Sequence, residues 1–206
     1  MTIRAEYDRA AADYDRRWAR YNRASLALLR PWIEGQDLGR VVDVACGTGN
    51  LLPLLAGAAG RMESCAAADF SAEMLRAARG KARGVELRAG FVAADALALP
   101  FRAASFETAV SASTLHYWKD PDAGLREIRR VLRTDGRLLL LDWWRDPPSM
   151  RLLNAWMRLA RIEYHRMHSR AGMTEMLRAA GFRVEDQAGG SAGGPWRVIA
   201  FAARAV

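Results

Sequence analysis

Three aspartates stand at the ends of three apolar runs: Asp43 in VVDVACGTGN, Asp69 in MESCAAADF and Asp95 in FVAADALALPF. The first run continues into Cys46, Gly47, Thr48 and Gly49, and a leucine-rich stretch follows. A strand that turns through glycines into a helix offers backbone N–H groups to a nucleotide. Carboxylates at three strand ends would all reach one crevice, at the carboxyl edge of a parallel sheet. Asp69 lies roughly 20 residues beyond the glycines, where a carboxylate accepts both hydroxyls of a ribose. Asp95 is placed to accept from the exocyclic amine of an adenine. Asp43 points into the cleft ahead of the turn; its charge would repel a pyrophosphate and suits a ligand with a positive amino group.

Two nucleotide classes drop out. A dinucleotide turn needs a third glycine for close helix–strand packing, and that position is Leu52. No lysine stands where a nucleoside triphosphate site needs one. Among the three histidines, His116 in STLHYW follows the fourth apolar run and is the expected general base. His165, with Tyr164, lies in IEYHRMHSR and is a second candidate for the acceptor side, and His168 shares that stretch. Trp118, Trp143 and Trp144 could form aromatic walls for a flat or cationic acceptor. No triad and no metal-binding spacing is present; Cys46 and Cys65 are the only cysteines.

Short apolar runs alternating with helical patterns must position these groups, which predicts a parallel α/β sheet. Strands are expected over RVVDVA, MESCAAAD, LRAGFVAAD, FETAVSAS and RLLLLDWW, and helices over TGNLLPLLAGAA, SAEMLRAARGKA and DPDAGLREIRRVLR. Ser71 reads as an N-cap, and Leu125, Ile128, Val131 and Leu132 share one helix face. A long helix is predicted over 149–170, then a short one closed by Gly181, then two strands joined by a hairpin through AGGSAGG. Near the N-terminus Tyr7, Tyr14, Trp18, Tyr21, Leu28 and Trp32 recur at helical spacing, so residues 1–34 read as a helical arm.

The length of 206 residues fits one domain, and 51% hydrophobic with 26% charged residues describes an ordinary globular chain. No run reaches a membrane span, the charged start does not read as a signal peptide, and a reducing cytoplasm is the expectation. The net charge is +8, but Lys81 and Lys119 are the only lysines and the arginines are spread along the chain. A solvated surface is favoured over a nucleic-acid face. Arginines opposite the aromatics of the arm leave peripheral membrane contact as an alternative, weakened by Glu6, Asp8, Asp13 and Asp15.

With these pieces in place the chain resembles the class I methyltransferases that use S-adenosyl-L-methionine. The resemblance rests on VVDVACGTGN, AAADFSAEMLRAAR, FVAADALALPF, FETAVSASTLHYWKDPDAGLREIRRVLRTDGRLLLLD and MLRAAGFRV, in that order. It implies a Rossmann-like seven-stranded sheet of order 3-2-1-4-5-7-6 with an antiparallel last strand and helices on both faces. It divides one domain into the arm, a cofactor core over 40–142, a helical cap over 145–172 and a closing helix and hairpin over 173–206. It implies that Asp43, Ala45, Cys46, Gly47, Thr48 and Gly49 hold the methionine end of the cofactor and Asp69 its ribose. Phe70 and Met74 would surround the adenine, Asp95 and Ala96 its edge, and Ser111 joins the same set. Ala45 stands where the family has its first glycine. YDRAAADYDRRW resembles the quinone- and lipid-methylating branch, which makes Tyr14 the partner of the methionine carboxylate.

Methyl transfer from a sulfonium is an in-line displacement governed by proximity, orientation and exclusion of water. The expected acceptor is a small molecule, or a lipid or quinone, lined by Trp18, Tyr117, Trp143, Tyr164 and His165 with His116 as base. S-adenosyl-L-homocysteine would be the second product. The protein would act as a monomer or homodimer.

Overall fold

The computed structural model describes every residue except 1, 2, 161, 163 and 165, and omits the side chain of residue 59. Seven strands form one sheet: β1 (Gly39–Val44), β2 (Met62–Asp69), β3 (Gly90–Ala93), β4 (Phe106–Ala112), β5 (Leu132–Trp143), β6 (Phe182–Ser191) and β7 (Arg197–Ala205). Their order is β3-β2-β1-β4-β5-β7-β6. The first five pair in parallel, and β7 is antiparallel to both β5 and β6. Sheet order and the antiparallel final strand agree with the expectation.

The sheet is buried on both faces, so its strands read as near-continuous apolar runs. Val41, Val110, Leu139, Leu141, Ala200 and Ala202 face one apolar cluster. Their neighbours Val42, Ala109, Leu138, Leu140, Ile199 and Phe201 face the other. This alternation is the strand period of two, and it fixes the register, because a slip of one residue would exchange the two cores.

Helices α4 (Leu52–Ala56) and α5 (Ala72–Gly84) cover the first face, and α6 (Pro121–Val131) and α8 (Arg170–Ala179) the second. Ser71 caps α5 by accepting from the Met74 amide at 3.1 Å, and Asp120 caps α6 by accepting from Ala123 at 2.9 Å. Leu125, Ile128 and Val131 on α6 are fully buried against the sheet, as their spacing requires.

Four segments differ from the sequence reading. Leu132, expected on the apolar face of the helix, opens β5 instead, because α6 ends at Val131. The arm divides into α1 (Ile3–Ala10), α2 (Tyr14–Leu26) and a last turn α3 (Arg30–Ile33), and its aromatic stripe faces inward. Tyr21 and Trp32 are buried, and the Trp32 indole donates to Asp186 at 3.0 Å. Membrane docking through the arm therefore lacks the apolar face that it needs. The predicted cap helix stops early, since α7 spans Pro148–Leu159. Leu152, Trp156 and Leu159 on α7 are exposed by 75%, 56% and 85%. No helix among the described residues is long and apolar enough to cross a membrane. Finally, the glycines of AGGSAGG are partly ordered strand. A Cβ on Gly189 would lie 2.9 Å from the Trp144 ring and one on Gly190 3.1 Å from Leu28, so close packing rather than flexibility selects glycine there.

Candidate active site

At the carboxyl edge of the sheet, β1 leaves its last residue and turns into α4. Ala45, Gly47 and Gly49 have φ of 57°, 55° and 75°. Such left-handed backbone suits glycine, and Ala45 holds it at some cost in strain. The two glycines have different work. A Cβ on Gly49 would sit 2.6 Å from Leu52 and 3.0 Å from Ala78, so Gly49 lets α4 and α5 approach the turn. A Cβ on Gly47 would meet nothing within 4 Å, because that side of the turn opens onto a cleft of about 220 Å³.

Asp69 braces the turn. Its carboxylate accepts from the Gly47 amide at 2.8 Å and from the Ser71 amide at 2.9 Å. Burial raises its pKa, and those amides oppose the rise. Asp43 is different: it is 2% exposed, lines the cleft, and its Oδ2 has no partner among the described residues. Burial, reinforced by the charge of Asp69, pushes its carboxyl up to about 8. Asn22 on α2 lines the same cleft with an equally unpartnered Nδ2. A buried acceptor and a buried donor left open in one cleft are complementary to a ligand that carries both ammonium and carboxylate.

The arm is fastened to both nucleotide loops. Asp8 accepts from the Ser71 hydroxyl at 2.5 Å. Asp15 accepts from the Thr48 hydroxyl at 2.6 Å and the Asn50 amide at 3.0 Å, and pairs with Lys81 on α5 at 2.8 Å. Burial pushes Asp15 up, but hydrogen bonds from Lys81, Thr48 and Asn50 outweigh it, and the carboxyl lies below its usual range. Asp15 is half-exposed, so the clasp contributes about 1 kcal/mol after solvent screening. Asp15→Asn should accordingly raise the rate of trypsin cleavage within the arm about fivefold while far-UV circular dichroism stays unchanged. An unchanged cleavage rate would show that the clasp does not hold the arm.

A second, larger cavity of about 640 Å³ opens between the arm and α7. Its walls include Trp18, Tyr21, Trp143, Trp156 and Trp196, with ring centroids 4.9 Å apart for Trp143–Trp196 and 5.7 Å for Trp18–Trp196. His116 joins this wall, stacked on Trp143 at 3.5 Å. Its Nδ1 lies 2.6 Å from Asp142 Oδ1, and both residues are 1% exposed. The same oxygen accepts from the Trp143 amide at 2.6 Å. With Nδ1 committed to a carboxylate, the imidazole proton is held there, and Nε2 carries the lone pair with no described partner.

Most residues singled out from the sequence lie on these two surfaces. Tyr14, Asp43, Ala45, Cys46, Gly47, Thr48, Asp69, Phe70, Asp95 and Ala96 line the smaller cleft, and Trp18, His116, Tyr117 and Trp143 the larger cavity. Five do not. Gly49 packs against α4 and α5 behind the turn. Met74 is fully buried in the core. Ser111 is buried, donating to the Val44 carbonyl at 3.0 Å and bonding Thr114 at 2.9 Å; Ser113, two residues on, reaches the cleft instead. Tyr164 stands behind the wall, its hydroxyl on Asn154 at 2.7 Å and its ring 6.2 Å from Trp143. His165 lies outside the described residues. Of the other tryptophans, Trp118 lines the cleft, and Trp144 turns its indole to Asp146 at 2.9 Å. Among the described residues no cluster of three or more metal-ligating side chains occurs. Asn22, Ser113 and Asp142 were missed; for Asn22 the helical spacing from Tyr14 through Trp18 was an available signal.

Residues 42–140 match a protein-family model described as a methyltransferase domain. The demethylmenaquinone methyltransferase of Deinococcus radiodurans is 40% identical over 120 residues, 58% of this chain and 48% of that protein. The ubiquinone/menaquinone biosynthesis C-methyltransferase UbiE of Stenotrophomonas maltophilia is 37% identical over 130 residues, 62% of this chain and 49% of that protein. The chain thus spans about half the length of the curated relatives it matches. Magnesium protoporphyrin IX methyltransferase from Synechocystis, solved with bound SAH, superimposes with a TM-score of 0.74 at 19% identity, covering 91% of this chain and 84% of that one. The [4+2]-cyclase SpnF superimposes at 0.69 with 22% identity, covering 89% and 80%, a reminder that the fold alone does not set the reaction. Strand order and glycine turn thus agree with the methyltransferase-domain match over residues 42–140.

Proposed function

We propose that the protein transfers a methyl group from S-adenosyl-L-methionine to a small acceptor with a planar ring and an apolar substituent, leaving S-adenosyl-L-homocysteine. The observation that carries this reading is the pair of open buried groups in the smaller cleft, Asp43 Oδ2 and Asn22 Nδ2. They suit the ammonium and carboxylate of a methionine end, with Tyr14 beside them as a further donor. Asp69 retains acceptor capacity for ribose hydroxyls, and Phe70, Asp95 and Ala96 form the adenine surroundings. Bound there, the cofactor supplies an electrophilic methyl group on a sulfonium.

The chain's own residues do the rest. The larger cavity is aromatic, and Leu153, Met157 and Ile162 extend it as an apolar lining suited to a hydrophobic tail. Curated relatives named for demethylmenaquinone and ubiquinone/menaquinone methylation support an acceptor of this kind. Either a ring hydroxyl or an activated ring carbon must lose a proton on methylation, and His116 Nε2, buried in that wall with its lone pair uncommitted, is able to take it. The nitrogen is covered, so the acceptor reaches it as a wall residue such as Tyr117, 4.2 Å away by ring centroid, gives way.

The test is transfer of radiolabelled methyl to a demethylated quinol with a short prenyl tail, with bulk tRNA and protein as competing acceptors. Label in the quinol supports the reading. Label in tRNA or protein alone would contradict it.

A further inference from the structure

Five buried side-chain atoms among the described residues have no hydrogen-bond partner. Asn22 Nδ2 and Asp43 Oδ2 belong to the smaller cleft, and His116 to the acceptor wall. The remaining two are Asp142 Oδ2 and His168 Nε2, and neither residue lines either cavity. A buried acceptor without a donor is costly, which is why such groups are nearly always paired.

The fold brings these two residues to one place. Ile199, opposite Asp142, and Trp144 both pack on the second apolar cluster, so Asp142 and Trp144 share that face of β5. His168 pairs with Trp144 in a short parallel bridge, and its carbonyl accepts from the Arg145 amide at 3.0 Å. Two residues earlier, the Arg166 amide donates to the His116 carbonyl at 3.2 Å, so this segment runs from His116 to the end of β5. It is fastened beyond His168 as well. Ser169 caps α8 by accepting from the Gly172 amide at 3.0 Å, and Asp146 accepts from the Arg170 amide and the Trp144 indole, each at 2.9 Å.

We infer that His168 is a positioning residue for the general base: its Nε2–H serves the second oxygen of Asp142 and holds that carboxylate in the orientation His116 requires. The two atoms are not bonded to each other, so one water between them completes both. Asp142 then commits Oδ1 to His116 and the Trp143 amide and Oδ2 to His168, and it cannot rotate without breaking both sets of bonds. Burial lowers the pKa of His168; Asp142 opposes the fall, and Arg166, His116 and Arg145 reinforce it. The ring is therefore neutral at pH 8, with one proton to donate.

This inference rests on His116 as the base proposed above, and its first test needs neither cofactor nor acceptor. The chain has three histidines, so nitrogen-15 spectra of protein labelled in the imidazole rings separate them. At pH 8 the His168 signals, identified by their loss in His168→Leu, should be those of the Nε2–H tautomer, and His116 should be the Nδ1–H tautomer. An Nδ1–H tautomer at His168 would overturn the inference.

Turnover supplies the second readout. In methyl transfer to the quinol, His168→Leu should lower kcat about tenfold with both KM values within about twofold, the lower end for a hydrogen bond to a charged group. His168→Gln, whose amide can donate from the same place, should recover most of that loss. In the Asp142→Asn background His168→Leu should cost less than about twofold, because the oriented base is already lost. Losses that multiply independently, or a lowered melting temperature with kcat unchanged, would reduce His168 to a packing residue while leaving His116 as the base. Undiminished turnover by His116→Gln would instead overturn the base, and this inference with it.

Discussion

Asp43→Asn should make the ligand-free protein more stable at pH 8 and weaken its binding of cofactor. The carboxyl is buried and lacks a partner for Oδ2, so the fold by itself carries an uncompensated acid. Its pKa is pushed up to about 8, first by burial and then by Asp69. In the unfolded chain it returns to the ordinary carboxylate range, so between that range and about pH 8 the folded state binds the extra proton. Stability from this group is therefore complete at low pH and falls as pH rises toward about 8, by at most about 1.4 kcal/mol per pH unit. Thermal melts at pH 5 and pH 8 should show a steeper loss for wild type than for the asparagine variant.

Ligand binding should respond in the opposite sense. A cationic amino group favours the ionised carboxylate, so wild-type affinity should rise with pH over the same interval. Removing the charged acceptor costs about 1.5–3 kcal/mol, or roughly 10- to 150-fold in affinity. Titration calorimetry at two pH values measures both effects. If the variant bound S-adenosyl-L-homocysteine as wild type does, Asp43 would not be the ammonium partner.

The second large effect concerns turnover alone. His116→Gln should lower kcat by about 10²- to 10⁴-fold, the range for a positioned general base. The Kd for cofactor should stay within about twofold, because His116 lines the larger cavity and not the smaller. Asp142→Asn leaves the imidazole in place but changes its tautomer. The asparagine amide can donate to Nδ1, which shifts the imidazole proton to Nε2 and removes the lone pair that faces the acceptor. The loss should approach that of the histidine variant, and the two changes together should cost little more than either alone. Unaltered kcat with lowered melting temperature would reduce the dyad to a brace for the Trp143 wall.

What the chain revealed in advance follows from the range of the interactions concerned. Buried strands and their helices are local patterns, so their succession and the cap at Ser71 could be read from spacing, whereas the sheet order came only with the family resemblance. The acids of the carboxyl edge were legible for the same reason: Asp43 and Asp69 lie at the ends of β1 and β2, and Asp95 lies two residues beyond β3. Residues whose roles depend on distant partners were not. Ser111 and Ser113 are two positions apart, and only the left-handed turn at Ser113 decides which hydroxyl reaches the cleft. Asp142 acquires its role from a histidine 26 residues earlier, across two parallel strands. The arm illustrates both cases: its stripe announced a packed face, but nothing local announced that Asp8 and Asp15 fasten it to two separate loops.

The cofactor assignment is tested most directly by titrating the full chain with S-adenosyl-L-homocysteine at pH 8, in parallel with NAD and ATP. The open pair at Asp43 and Asn22 predicts saturable one-to-one binding of the homocysteine product and none of the two phosphate-bearing nucleotides. Binding of NAD or ATP instead, or no heat with S-adenosyl-L-homocysteine at high micromolar concentration, would contradict the assignment.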